Sequence, residues 1–210
     1  MSKKMTGKEL VAFARSKIGT PYVYGAKGEV LTKEKYDWLK KQYGSLVWDS
    51  DKKKIGKVCV DCSGLLSWAC GVVLGSSQWN SHADVKKPIQ SISEAPMGAL
   101  VWCKGHIGVY SGLKNGVPCY IAADGSAYGV REVPLSQNKF THWLLVHDFF
   151  EYEEDEMVER DMIVVNDTEY SVDMIRKDGT TFIKTRDIAD ILGMKVSSMG
   201  RIPVLESGKK

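Results

Sequence analysis

Two residues in the chain have the type and setting for nucleophilic chemistry. Cys62 opens the segment Cys62-Ser-Gly-Leu-Leu-Ser-Trp-Ala-Cys-Gly-Val-Val. Within it Leu65, Leu66, Ala69, Val72 and Val73 recur at helical spacing, which predicts a helix beginning at Cys62. At a helix N-terminus the macrodipole and the unpaired N–H groups favour an anion, which lowers a thiol pKa and favours the nucleophilic thiolate. A cysteine there is equally read as a packing residue, so position alone assigns no chemistry. His106, in Gly105-His-Ile-Gly-Val-Tyr-Ser-Gly112, opens an alternating strand between glycines. An imidazole is what a nucleophilic thiol needs, as a base first and later as an acid for the leaving amine. His82 falls in a polar loop, while His142 and His147 bracket the last strand of this region; these three read as surface or packing residues.

Other chemistry competes for the same atoms. Cys59-x-x-Cys62 and Cys103-x-x-His106 have the spacing of a four-ligand zinc set, which would make a zinc-stabilised binding module. Against it, Cys103 lies inside the apolar run Ala99–Cys103, and the intervening residues 63–102 read as substantial folded structure. Cys59 and Cys62 as a redox pair is weaker, since no strand–helix–strand pattern surrounds them. Five cysteines (Cys59, Cys62, Cys70, Cys103, Cys119) in 210 residues do not make a disulfide scaffold, and the odd number leaves at least one thiol unpaired within the chain.

The elements that must hold these residues follow from pattern. Thr6 and Glu9 form a capping box ahead of Leu10, Val11, Ala14 and Ile18 on one helical face, with Gly19 as the stop. A second helix is expected at 33–43. From Ala99 onward short alternating runs predict strands at 99–103, 106–110, 117–122, 130–133 and 143–147. Helices followed by an antiparallel sheet make an α+β domain over residues 1–150. Residues 151–160 begin with the acidic run Glu151–Glu156 and read as a linker. Residues 161–210 read as a small α+β module: a strand from Met162, a turn at Asn166-Asp167, a returning strand, a turn at Asp178-Gly179, and a short helix with Thr185 as N-cap and Gly193 as its end.

Composition sets the class. The chain is 43% hydrophobic and 26% charged, which excludes a disordered or low-complexity protein. No apolar stretch approaches the roughly 18 residues of a membrane span, and no apolar signal core follows Met1. Residues 1–150 carry 20 Lys and Arg against 12 Asp and Glu, a charge of +8; residues 151–210 carry 9 against 14, a charge of −5. A basic body suits a polyanionic target such as nucleic acid or an acidic cell wall, although solvated lysines alone account for it equally well.

Three motifs in order, Gly19-Thr-Pro-Tyr-Val-Tyr-Gly25, Asp61-Cys-Ser-Gly64 and Gly105-His-Ile-Gly-Val-Tyr110, resemble the NlpC/P60 cysteine peptidases across about residues 6–147. The resemblance implies a papain-like fold, with Cys62 as nucleophile, His106 as base and acid, and no cofactor or metal. It implies hydrolysis of cell-wall stem peptides, commonly between D-γ-glutamate and a diamino acid, through a thioester. Tyr22, Asp61 and Ser63 match the positions with which the family holds the terminal amine of the stem. Asp61 supplies a negative charge for an ammonium and Tyr22 a hydroxyl, while Asp61 is equally read as a helix N-cap. The family also carries a polar residue on the strand after the histidine to orient the imidazole. Alignment of Cys119–Gly125 puts Ala122 there, whose side chain cannot hydrogen-bond. Asp124, a backbone carbonyl or a water is then left to hold the ring, or the position is lost and the chain is a weakened or inactive wall-binding protein.

The tail, through Val164-Val-Asn, Asp178-Gly-Thr-Thr-Phe-Ile, Arg186-Asp-Ile-Ala and Leu192-Gly-Met-Lys-Val, resembles the copper-amine-oxidase-like stalk repeat of bacterial envelope proteins. It implies wall attachment or self-association as a homo-oligomer, and no copper, since residues 151–210 hold no His or Cys. The expected partner is the peptidoglycan of a Gram-positive-type wall, with no nucleic acid and no membrane. Synthesis in the cytoplasm with phage-mediated release, as for an endolysin or virion-associated hydrolase, or a bacterial enzyme whose leader was trimmed, accounts for the missing signal segment.

Overall fold

A computed structural model describes residues 4–152, 159–177, 180–199 and 202–207. The chain is α+β and divides into two compact units, 1–153 and 154–210.

In the first unit the elements run β1 (Met5–Thr6), α1 (Gly7–Ser16), β2 (Lys27–Val30), α2 (Lys33–Tyr43), β3 (Val58–Val60), α3 (Cys62–Cys70), α4 (Ser76–His82), β4 (Val85–Pro88), β5 (Leu100–Cys103), β6 (His106–Lys114), β7 (Val117–Ala123), β8 (Val130–Pro134), β9 (His142–Leu145) and β10 (Phe150–Glu151). The first helix starts as its capping box dictates: Thr6 Oγ1 accepts from Glu9 N at 3.1 Å while Thr6 N donates to Glu9 at 2.8 Å. It ends at Ser16, so Ile18 falls past the helix and is half exposed rather than on the buried face. The α3 helix likewise stops earlier than its apolar spacing predicts. Gly71 takes the left-handed conformation after Cys70 and terminates it, leaving Val72 and Val73 outside.

Six strands form one antiparallel sheet in the order β4-β9-β5-β6-β7-β8. Alternation along the central strands sends side chains to two separate cores. Ile107, Val109, Ile121 and Ala123 pack with Leu10, Val11 and Ala14 of α1 and Leu65 and Leu66 of α3. Tyr110, Tyr120 and Ala122 face the other way, against Phe140, Trp143 and Ile92. The sheet is thus buried on both faces, and one of them carries the helix that begins with Cys62. A third cluster, Val23, Ala26, Leu31, Tyr36, Leu39, Val47 and Cys59, lies under α2.

The start of α3 is wedged tightly against the segment before β2. Asp61 N donates to the carbonyl of Ala26 at 2.9 Å. A Cβ on Gly64 would lie only 2.2 Å from that same carbonyl oxygen, so the approach requires glycine. The acidic run after residue 150 opens as structure: Glu151 pairs with Thr6 in β10, and Tyr152 packs on the main core. The rest of that run, residues 153–156, lies outside the described residues.

The second unit contains a three-stranded antiparallel sheet, β11 (Glu159–Val165), β12 (Thr168–Lys177) and β13 (Thr180–Ile183), the helix α5 (Thr185–Ile191), and a hairpin of β14 (Met194–Met199) and β15 (Ile202–Ser207). Asn166 and Asp167 both adopt positive φ, 49° and 63°, as a two-residue hairpin turn requires. The N-cap of α5 is Lys184, with Thr185 as first helical residue, and no side chain caps the end. Asp187 instead fixes that turn by accepting from the Asp173 amide at 3.0 Å. Gly193, at φ 64°, follows the helix. The turn expected at Asp178-Gly179 lies outside the described residues. Among those residues no helix is long and apolar enough to cross a membrane.

Candidate active site

Cys62 is the first residue of α3 and is buried. Asp61 caps the helix, its Oδ1 accepting from the Gly64 amide. Leu65 N donates to the Asp61 carbonyl, so the amides of Cys62 and Ser63 remain at the helix start with no acceptor inside the helix.

His106 opens β6, with a carboxylate within hydrogen-bond distance of its ring. Its Nε2 lies 3.0 Å from Asp124 Oδ1, and the Cys62 thiol is near enough for its charge to act on the ring. With Nε2 taken by the carboxylate, Nδ1 is the nitrogen left for sulfur. The ring lies nearly flat on buried Phe140, with centroids 5.5 Å apart and 14° between planes, which fixes its tilt.

Strand register decides which residue reaches the imidazole. Val109 faces Ile121 across β6 and β7. Three residues back on one strand and three forward on the other, His106 comes opposite Asp124. Ala122 comes opposite Gly108, where any added Cβ would meet the Ala122 methyl at 3.1 Å, and it is fully buried with Tyr120 and Phe140. The polar partner of His106 is therefore Asp124, and Ala122 is a close-packed core position whose methyl cannot hydrogen-bond the ring.

Asp124 is itself held from behind. Its Oδ2 accepts from the Tyr120 hydroxyl at 2.8 Å and from Arg131 Nε at 2.6 Å, leaving Oδ1 for His106. Its backbone amide donates to the Gly129 carbonyl at 2.9 Å. Burial pushes its pKa up, but the hydrogen bonds from His106, Tyr120 and Arg131 outweigh this and hold it below the ordinary carboxylate value. Burial likewise pushes the imidazole down. The hydrogen bond to Asp124, with the charges of Cys62 and Asp124, overcomes that and raises His106 to about 9. An imidazolium that persists through neutral pH can hand its proton to a departing amine.

The residues expected to hold an amine are gathered too, with an unforeseen addition. Asp61, Ser63 and Tyr22 lie beside Cys62, and burial together with the charges of Cys62 and Asp61 raises the Tyr22 pKa, so its hydroxyl stays protonated. Between Asp61 and Ser63 lies the ammonium of Lys27, 3.0 Å from each carboxylate oxygen and 2.9 Å from Ser63 Oγ. Asp61 is thus both N-cap and ion-pair partner.

Farther back, fully buried Asp51 pairs with Lys54 at 2.7 Å. That ammonium also donates to the carbonyls of Tyr22 at 2.7 Å and Ser126 at 2.9 Å. One largely covered cation therefore ties the Tyr22 segment to the loop that follows Asp124. Lys27, Arg131, Tyr120, Phe140 and Lys54 carry no motif of their own in the sequence; each meets the site only through folding.

The zinc set does not assemble. Cys59 points into the cluster under α2, whereas Cys62 packs on the main core. Among the described residues no three His, Cys, Asp or Glu side chains gather as a metal site. The other histidines stay apart from Cys62: His147 Nδ1 binds Asp84 at 2.6 Å, His142 is exposed, and His82 stacks edge-on with Phe149.

No protein-family model matches the chain, and no curated protein matches it. Two solved structures are similar to it. NlpC1 from Trichomonas vaginalis is 16% identical, with a TM-score of 0.43 over 66% of this chain and 42% of that one. NlpC2 from the same organism is 17% identical, with a TM-score of 0.42 over 69% of this chain and 47% of that one. The chain spans less than half the length of either.

Proposed function

We propose that the protein is a cysteine peptidase that hydrolyses an amide bond in the stem peptide of peptidoglycan. The observation that carries the reading is His106, held between the Cys62 thiol and a carboxylate that Arg131 and Tyr120 fix in place. That arrangement favours nucleophilic attack on a carbonyl. The substrate class rests on the NlpC/P60-like motifs around Tyr22, Cys62 and His106, and the basic body suits an anionic wall.

In the reaction, the Cys62 thiolate attacks the amide carbon. The oxyanion is met by amides at the start of α3, where Cys62 N–H stands at the positive end of the helix. The tetrahedral intermediate collapses as His106 gives its proton to the departing amine, leaving a thioester. Neutral His106 then takes a proton from water, hydroxide adds to the thioester, and the acid leaves as the thiolate returns. Asp124 keeps the imidazole oriented through both proton transfers. A bond between D-γ-glutamate and a diamino acid is the proposed target, and the second unit is proposed to bind the wall or to self-associate.

The test is incubation of wild-type protein with isolated Gram-positive peptidoglycan, followed by mass spectrometry of the released muropeptides. New D-glutamyl carboxyl ends are expected. Intact stems after exhaustive digestion, with the protein sedimenting on the wall, would replace the hydrolase reading with a binding one.

A further inference from the structure

Lys27 occupies the place beside Asp61 and Ser63 that the NlpC/P60 resemblance assigns to a substrate ammonium. Its Nζ makes three contacts, to Asp61 Oδ1 and Oδ2 and to Ser63 Oγ, which matches the three donors of an ammonium. The carboxylate is correspondingly full. Oδ1 accepts from Gly64 N and Ser63 Oγ besides Lys27, and Oδ2 accepts from Gly25 N at 2.9 Å besides Lys27. The charges cancel within the pair. An incoming ammonium would meet no free acceptor and would approach a like charge.

The lysine is anchored as part of the wall of the site. It begins β2, where it faces Val60, and its own amide donates to Glu29 at 2.6 Å. Ala26, just before it, accepts the Asp61 amide. Its side chain is about three-quarters covered, at 23% exposure. A charge-assisted contact this shielded holds its partner better than a surface pair does. The Tyr22 hydroxyl, which stays protonated and can donate to a carbonyl oxygen, is also nearby, and the Tyr24 hydroxyl feels the charges of Asp61 and Cys62 as well.

We propose that Lys27 sets the substrate class of this site: it excludes stem peptides with a free amino terminus and selects those whose amino end is acylated, the form in which the stem is still joined to its sugar. The inference rests on the hydrolase reading for its substrate and on the Lys27–Asp61–Ser63 geometry for its direction. The enzyme would then act early in wall breakdown, on intact polymer, and not on peptides already released from sugar by an amidase-class reaction.

The experiment compares kcat/KM of the full chain on L-Ala-D-γ-Glu-L-Lys and on the same peptide N-acetylated, alongside calorimetric binding of both to Cys62→Ser. The wild type is expected to favour the acetylated peptide by about tenfold or more, and Lys27→Met to cut that ratio at least about tenfold by gaining on the free amine. Lys27→Gln, which removes the charge and keeps a polar side chain, is expected to move the ratio in the same direction. Cleavage of both peptides with equal or greater preference for the free amine would overturn the inference and leave the hydrolase reading standing. Were neither peptide cut, the hydrolase reading would fall on these substrates and binding would decide the inference. Tighter binding of the acetylated peptide would uphold it; tighter binding of the free amine, or no binding of either, would overturn it.

Discussion

Replacing Cys62 by Ala is expected to lower kcat/KM on stem peptide by at least about 10⁴-fold, because the covalent route disappears with its nucleophile. His106→Ala is expected to cost about 10³-fold, since it removes both the partner of the thiolate and the proton donor for the leaving amine. The two changes should not add: with the thiol gone, an imidazole that acts through it has little left to lose. Each protein is compared with wild type by circular dichroism and thermal melting, so that lost folding is not read as lost chemistry. A Cys62→Ala protein within tenfold of wild type would place the nucleophile elsewhere.

Asp124→Asn is the second large effect. Asparagine keeps the size and an oxygen near His106 but removes the charge that supports the imidazolium and that Arg131 and Tyr120 hold in position. A loss of roughly 10²-fold in kcat is expected. The pH profile carries the sharper signature. Acylation needs protonated His106 to give its proton to the amine, so activity falls as pH rises past the imidazolium pKa, about 9 in the folded protein. Asp124 is one of the groups that raise that value, so its replacement lowers it, and the basic limb should move toward neutral pH. Because thiol and imidazole titrate as a pair, the limb reports the pair as a whole. A full loss of activity with an unmoved basic limb would mean that Asp124 positions the ring without acting through its charge.

What the sequence makes legible is what local chemistry decides. The Thr6–Glu9 box, the helix 33–43, the Asn166-Asp167 turn and the placement of Cys62 at a helix start each depend on residues within one turn of one another. The partner of His106 does not. Ala122 and Asp124 lie two positions apart on one strand, and only the long-range register of β7 against β6 sets which one faces the imidazole. Lys27 is harder still, because a lysine 34 residues before Asp61 in a lysine-rich segment looks like any solvated charge. The short strand β4 is unmarked for a related reason. Val85–Pro88 has little apolar alternation, and it is a strand because β9 offers it an edge.

Cysteine labelling tests the central claim most directly. All five thiols are free. Burial pushes Cys59 up to about 11 and raises Cys70 as well; Cys103 is raised by burial and by the charge of Cys62. Cys62 is the thiol whose charge acts on the imidazole that Asp124 keeps charged. The measurement is a time course of iodoacetamide alkylation of the native protein at pH 6–7, with each site mapped by mass spectrometry. The account predicts that Cys62 is modified first, and that Asp124→Asn and His106→Ala slow this one site by about tenfold or more. Equal rates at Cys62 and Cys103, or a Cys62 rate untouched by the loss of His106, would contradict it.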